Sequence, residues 1–255
     1  MNTFSRIAPL VFLAACAVLP GGEHPDYHAI VASSDRTDAD RQTDQRRKPE
    51  LLLAFTGVLQ GMKVLDMGAG AGYSTELLAR AVGPGGTVYA QDAPAASARA
   101  QERFDERAKT APMRNVVRVL RDYDDPIPPN VQNLDLVTFF FAYHDTAFMP
   151  VDRAKMNRAL FDALKPGGVL VIADHSAQPG AGTSVAKSLH RIEESTLRAE
   201  VEAAGFKLVA EADFLRNPGD MRDAIVFRSQ IPVDEFVLKF VKPADYRPAA
   251  SVPAM

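Results

Sequence analysis

The sequence predicts an α/β fold on a mostly parallel sheet, and three observations predict it. From Met62 onward, short and nearly continuous apolar runs alternate with stretches of helical periodicity. Turn residues such as Gly83-Pro84-Gly85-Gly86 and Lys165-Pro166-Gly167-Gly168 separate them. Apolar runs without polar alternation are strands buried on both faces, which is the condition of a parallel sheet covered by helices. The last part of the chain differs: runs 206–214 and 236–241 have no helical pattern between them, so they read as an antiparallel closing pair.

The elements follow in order. Residues 35–47 carry alternating charges and predict a solvated helix, extended to residue 55 by the apolar run after Pro49, a residue suited to a first helical turn. Gly57 lies near its end. Strands are predicted over 63–67, 87–91, 116–120, 134–141 and 169–173, and helices over 75–82, 95–109, 153–164 and 195–204. Gly205 is placed to cap the last helix. The expected organisation is a signal and tether over 1–22, a helical cap over 23–60, one α/β domain over 61–243, and a tail over 244–255.

With 255 residues, 47% of them hydrophobic, the chain is long enough for one sizeable core. A net charge of -3 and a pI near 6.0 supply no basic field, so nucleic acid is not an expected partner. A small or neutral substrate is. The single cysteine, Cys16, excludes an intrachain disulfide and a multi-cysteine zinc site. It follows the apolar run 7–19, shorter than the roughly 20 residues of a spanning helix, which reads as a signal peptide. Leu13-Ala14-Ala15-Cys16 resembles a bacterial lipobox, whose cysteine is lipidated, while Ala15-Cys16-Ala17 also fits ordinary signal cleavage; an uncleaved anchor is the third reading. The expected location is therefore exported, periplasmic or membrane-anchored through Cys16, and cytoplasmic if the signal does not function. The number of subunits is not legible.

The segment Val64-Leu65-Asp66-Met67-Gly68-Ala69-Gly70-Ala71-Gly72-Tyr73 is the most informative. A strand runs into an acidic residue, then into glycines at alternate positions, then into a helix. Glycines let the backbone turn sharply and approach a ligand closely, and the helix start offers unpaired N–H groups. A dinucleotide fingerprint needs Gly-x-Gly-x-x-Gly around a pyrophosphate. Here Gly72 comes one residue early and Tyr73 stands where the last glycine belongs. Asp66, read as aimed at the ligand, repels a pyrophosphate and suits a cationic ligand.

On these residues the chain resembles the class I S-adenosylmethionine-dependent methyltransferases. Asp66, Gly68, Ala69, Gly70, Gly72 and Tyr73 stand at that family's first motif. Asp92, ending the second strand, stands where the family binds the ribose hydroxyls; its other reading is a helix N-cap. Asp122 and Tyr123 stand where the family holds the adenine, with a plain turn as the alternative for Asp122. Leu134-Asp135-Leu136-Val137 and Lys165-Pro166-Gly167-Gly168 match the fourth strand and the turn into the fifth. The resemblance implies a Rossmann-like doubly wound sheet of seven strands, mostly parallel with an antiparallel C-terminal strand, and S-adenosylmethionine as cofactor. Tyr143-His144-Asp145-Thr146, Asp174-His175-Ser176-Ala177 and Leu189-His190-Arg191-Ile192 further resemble a bacterial group of predicted methyltransferases with N-terminal export signals.

Methyl transfer from a sulfonium needs alignment more than a base, though a base of near-neutral pKa helps with a hydroxyl or acidic carbon. His144, following the fourth strand, is the first candidate for base or substrate contact, with Asp145 as orienter and Tyr143 beside them; the alternative is a structural histidine. His175 and His190 are expected at the same rim. No metal is expected, since the only His-x-x-x-His pair, His24 and His28, is interrupted by Pro25. The Asn/Asp-Pro-Pro-aromatic signature of exocyclic-amine methylation is absent after the fourth strand. Arg47 or Lys48 is placed to meet the cofactor carboxylate if the N-terminal helix folds over the site. The functional expectation is methylation of a small-molecule acceptor; the alternative is a cofactor-binding regulatory protein without turnover.

Overall fold

The computed structural model describes residues 23–246. Cys16 and the signal and lipidation expectations lie outside these residues. Three helices, α1 (Tyr27–Ala32), α2 (Asp38–Arg47) and α3 (Pro49–Thr56), precede β1 (Lys63–Met67). There follow α4 (Tyr73–Val82), β2 (Thr87–Asp92), α5 (Ala98–Ala108), β3 (Val116–Leu120), β4 (Leu134–Phe140), α6 (Arg153–Ala163) and β5 (Leu164–His175). The chain closes with α7 (Ala186–Leu189), α8 (Glu194–Ala203), β6 (Lys207–Ala212) and β7 (Glu235–Val241). No helix among the described residues is long and apolar enough to cross a membrane.

The strands form one seven-stranded sheet in the order β3-β2-β1-β4-β5-β7-β6. The first five run parallel, and β7 lies antiparallel to both β5 and β6. Strand pleating sends alternate side chains to opposite faces. Leu65, Met67, Val137, Phe139, Leu170 and Ile172 enter the core shared with α6 and α8. Val64, Leu136, Phe140, Val171 and Ala173 enter the core shared with α3 and α4. The same alternation puts Asp66 and Thr138 on the α4 side, where Asp66 meets Thr75.

Two expectations need correction. The helix predicted over 35–55 is broken at Lys48, which adopts a left-handed conformation (φ 43°). Pro49 disfavours the helical region for the residue before it, so the chain stops and restarts there. Nor is α2 solvated. Arg36 and Asp40 are buried; the Arg36 guanidinium donates to both oxygens of Asp44 at 2.7 and 2.8 Å, and Arg107 of α5 donates to Asp40 at 2.7 Å. Arg107 also pairs with Glu76 of α4. Having no apolar stripe, α2 docks through ion pairs, with Thr37 and Asp40 forming its capping box. Arg107→Ala leaves two carboxylates facing each other across this seam. We expect a loss of about 3 kcal/mol in urea unfolding, the low end for breaking a buried pair.

The strand predicted over 169–173 is longer. It begins at Leu164 because Gly167 and Gly168 exchange backbone hydrogen bonds with Lys242 beyond β7, at 2.9 Å each.

Candidate active site

The sheet order turns at β1 and β4, and open α/β sheets bind ligands beyond the carboxyl ends of strands at such a point. Leaving β1, the chain turns through Gly68, Gly70 and Gly72, at φ 65°, 54° and 80°. A Cβ on Gly68 would stand 2.9 Å from Ala142 Cβ and 3.2 Å from the Tyr123 hydroxyl, so the turn fits closely against the segment leaving β4. Gly72 is glycine for a different reason. Its Cβ would meet the Phe104 ring at 3.0 Å and Arg107 Cδ at 3.1 Å, so this residue, expected at the ligand, faces α5 instead.

β2 anchors the turn. Ala69 N–H donates to the Gln91 carbonyl at 2.9 Å, Gly68 N–H to Gln91 Oε1 at 3.3 Å and Gly70 N–H to Asp92 Oδ2 at 3.2 Å. Asp92 also accepts from Ala93 N–H at 2.9 Å and has Tyr123 beside it, and burial raises its pKa. It is not a helix cap, since α5 starts at Ala98 behind Ser97. Tyr123 is buried and stacks on Phe139. Asp122, expected at the adenine, is exposed in a turn where its carbonyl accepts from Asp125 N–H at 3.1 Å.

A cavity of about 240 Å³ lies over the glycine turn, lined by Asp66, Gly68, Ala69, Gly70 and Tyr73 of the expected set, with Arg47 and Phe141. The Arg47 guanidinium stands 4.5 Å from the Phe141 ring centroid and 5.4 Å from that of Tyr73. Its Nε is buried without a hydrogen-bond partner. Burial and the neighbouring Arg46 push its pKa down to about 10, against the pull of Tyr73, Glu235 and Asp66. Phe141 takes a left-handed conformation (φ 59°), sparsely populated for a bulky residue, and presents its ring to Arg47. Tyr73 donates its hydroxyl to Asp44 Oδ1 at 2.6 Å, tying the cavity wall to α2. Lys48, the other candidate for the cofactor carboxylate, is spent on the Phe214 carbonyl.

Asp66 departs from the expected role. It lies fully buried beneath the turn, with its oxygens taken by Thr75 Oγ1 at 2.6 Å and Thr138 Oγ1 at 2.8 Å. Burial raises its pKa to about 6, with the threonine hydroxyls and Arg47 opposing the rise. It is therefore a floor rather than a guard. A carboxyl raised from 3.8 to about 6 on folding contributes stability below pH 3.8 that is lost as pH rises through 6. The unfolding free energy of the protein minus that of Asp66→Asn is expected to fall by about 3 kcal/mol between pH 4 and 7, then flatten. Paired urea titrations measure it; a flat difference contradicts the assignment.

Beyond β4 the 3₁₀ turn His144–Ala147 carries the expected catalytic residues. Tyr143 is wholly buried, accepting from Asn157 Nδ2 at 2.8 Å and donating to Glu200 at 2.9 Å. It holds α6 and α8 to the sheet, with its hydroxyl engaged by both. His144 is also buried, with Nδ1 2.7 Å from Asp174 Oδ1 and Nε2 3.2 Å from Asp145 Oδ1. Burial lowers its pKa, but the carboxylates of Asp174 and Asp145 outweigh this and hold it up to about 10. The expected base of near-neutral pKa is not found there. His190 does come to His144, its Nδ1 3.2 Å from His144 Nε2. His175 is buried, 2.9 Å from Glu235 and stacked on Phe141. Glu235, on the strand paired with β5 at this end of the sheet, stands in no motif, and Asp174 entered only within the segment Asp174-His175-Ser176-Ala177, without a role of its own.

Residues 64–168 match the family described as methyltransferase domain. The match covers 105 of the 255 residues. It runs from β1 to the turn within β5 and contains the glycine turn, Asp92 and His144. A protein-L-isoaspartate O-methyltransferase from Ignicoccus hospitalis is 32% identical over 113 residues, which are 44% of this chain and 47% of that protein. The chain thus spans about half the length of that relative. A solved SAM-dependent methyltransferase from Aquifex aeolicus shares the fold with a TM-score of 0.57 at 22% identity, over 81% of this chain and 99% of its own. Aeropyrum pernix fibrillarin, solved with natively bound S-adenosyl-L-methionine, shares it with a TM-score of 0.51 at 16% identity, over 75% and 73%. The fold is that of the class I methyltransferases.

The cofactor implied by the methyltransferase domain is S-adenosylmethionine, and the residues present fit it. The half-buried guanidinium of Arg47, with Nε unpartnered, suits the cofactor's carboxylate, and the Asp92 carboxyl at the end of β2 suits its hydroxylated part. The close turn at Gly68 brings backbone, rather than a side chain, to that space.

Proposed function

We propose that the protein is an S-adenosylmethionine-dependent methyltransferase acting on a small-molecule acceptor. The observation that carries this reading is the cavity over the glycine turn, within the stretch that matches a methyltransferase domain, with Arg47 half-buried at its wall and its buried Nε unpartnered. In this reading Arg47 receives the cofactor carboxylate, and Asp92 exchanges its contact with Gly70 for the ribose hydroxyls. Asp66 keeps α4 and β4 in place under the turn through Thr75 and Thr138. When bound, the cofactor supplies a methyl activated by its sulfonium. The protein's share is to align donor and acceptor and to exclude water, which can account for most of the rate of an in-line displacement.

A small acceptor is favoured by a groove of about 600 Å³ between α2 and the segment leading into β7, lined by Gln45, Arg46, Leu215, Asn217, Ile231 and Glu235. Pockets for small molecules commonly fall in the range of about 300–1,000 Å³. Arg46 borders both the groove and the cofactor cavity.

Calorimetric titration with S-adenosylmethionine and its demethylated product tests the cofactor, and transfer of labelled methyl to a panel of hydroxyl, amine and thiol compounds tests turnover. Both ligands are expected to bind in competition, with label on at least one acceptor. If neither binds, the reading is wrong; binding without transfer supports the regulatory alternative. We further propose export with lipidation at Cys16, on the strength of the apolar run and Leu13-Ala14-Ala15-Cys16. Cys16→Ser is expected to move the protein from the membrane to the soluble fraction on fractionation.

A further inference from the structure

At the β4 and β5 ends of the sheet, one cluster has a geometry that neither the fold nor methyl transfer demands. His144 Nε2 lies 3.2 Å from Asp145 Oδ1 and 3.2 Å from His190 Nδ1, and His190 Nδ1 lies 3.3 Å from Asp145 Oδ1. The three atoms make a nearly equilateral triangle. Ligands bound to a tetrahedral ion at about 2.0–2.1 Å are spaced by about 3.3 Å.

The triangle is built from behind. His144 is 2% exposed, and its Nδ1 is held at 2.7 Å by Asp174, which also accepts the backbone N–H groups of His144 and His175 at 2.8 Å each. A carboxylate on the far nitrogen orients a metal-bound imidazole and fixes which nitrogen faces the ion. His190, which ends α7 in a left-handed conformation (φ 54°), closes the triangle from the other side. Such a conformation is uncommon for a residue other than glycine and persists where the surroundings hold it. Two imidazoles and one carboxylate suit zinc and its first-row neighbours better than magnesium or calcium, which take oxygen ligands.

We propose that His144 Nε2, His190 Nδ1 and Asp145 Oδ1 bind one divalent transition-metal cation of the zinc type. The ligands, at positions 144, 145 and 190, are too scattered along the chain to form a spacing motif. A fourth coordination position lies on the solvent side, where Asp145 and His190 are partly exposed and the Phe227 ring centroid stands 4.7 Å from that of His190. An oxygen or sulfur of the methyl acceptor fits that position. This last role rests on the methyltransferase reading, whereas binding of the ion does not.

The test uses the full chain, dialysed against a chelator, titrated with Zn²⁺ by calorimetry and with Co²⁺ by visible absorption. One equivalent is expected, with a tetrahedral-type cobalt spectrum. His190→Ala and Asp145→Asn are each expected to weaken Zn²⁺ binding at least 100-fold while leaving the thermal melt of the apo protein nearly unchanged, since both side chains are partly exposed. A His24→Ala/His28→Ala double variant is expected to bind as the parent does. Failure to bind an equivalent overturns the site, as does unchanged affinity in both single variants or loss of binding in the double variant. Because the titration contains no S-adenosylmethionine, its outcome is separate from that of the cofactor experiment.

Discussion

Replacing Arg47 with Met is expected to weaken S-adenosylmethionine binding by about 2–5 kcal/mol, the usual cost of truncating one member of a buried charge pair. In affinity this is a loss from roughly 30-fold to several thousand-fold. The apo protein should respond in the opposite sense. Arg47 is half-buried with Nε unpartnered, so a Met of comparable length removes a desolvated charge that no hydrogen bond at Nε satisfies and leaves the packing against Phe141 and Tyr73. Its unfolding free energy is expected to stay level or rise. Arg47→Lys should fall between, because an ammonium restores the charge without the planar fork that pairs with a carboxylate. Calorimetry and urea unfolding on the same three proteins measure both quantities. A Met variant that loses stability and binds as before would assign Arg47 to the fold alone.

The second large effect is on stability. Asp174→Asn is expected to cost about 3–5 kcal/mol, as removal of one partner from a buried ion pair does. Asp174 is fully buried and accepts from His144 Nδ1 and from the N–H groups of His144 and His175. An amide offers one acceptor where the carboxylate offers two, and turns a donor toward donors. The loss should appear as a lower urea midpoint with an unchanged slope, since the surface exposed on unfolding stays the same. A midpoint within experimental scatter of the parent would mean that this network does not hold the β4 and β5 ends together.

The sheet was legible because its signals are local. Each apolar run carries its own strand, and the glycines after Met67 mark the turn wherever the rest of the chain goes. Boundaries were less legible where partners from afar decide them: β5 starts at Leu164 because Lys242 pairs with Gly167 and Gly168. Charge pattern alone misread one face of α2, since alternating signs look alike whether they face water or the half-buried Arg107. The glycine motif located the cavity but did not say which member faces it; Gly72 looks inward to Phe104. Tyr143 and His144 stand side by side, yet one packs into the core against Glu200 and the other turns to Asp174. That division follows from helix and strand positions the sequence does not print. His144 and His190, 46 positions apart, meet only because α7 folds back over the 3₁₀ turn. The sequence placed both at one rim, but only the fold brings their nitrogens to 3.2 Å.

The central claim is that Arg47 and the glycine turn form a seat for S-adenosylmethionine with its carboxylate on the guanidinium. Competitive calorimetry of S-adenosylmethionine against its decarboxylated analogue, on the parent protein and on Arg47→Met, tests it most directly. The account predicts that the parent prefers the carboxylate-bearing compound by at least 30-fold and that the variant does not distinguish them. Equal binding of both compounds by the parent, or a preference that survives in the variant, would contradict it.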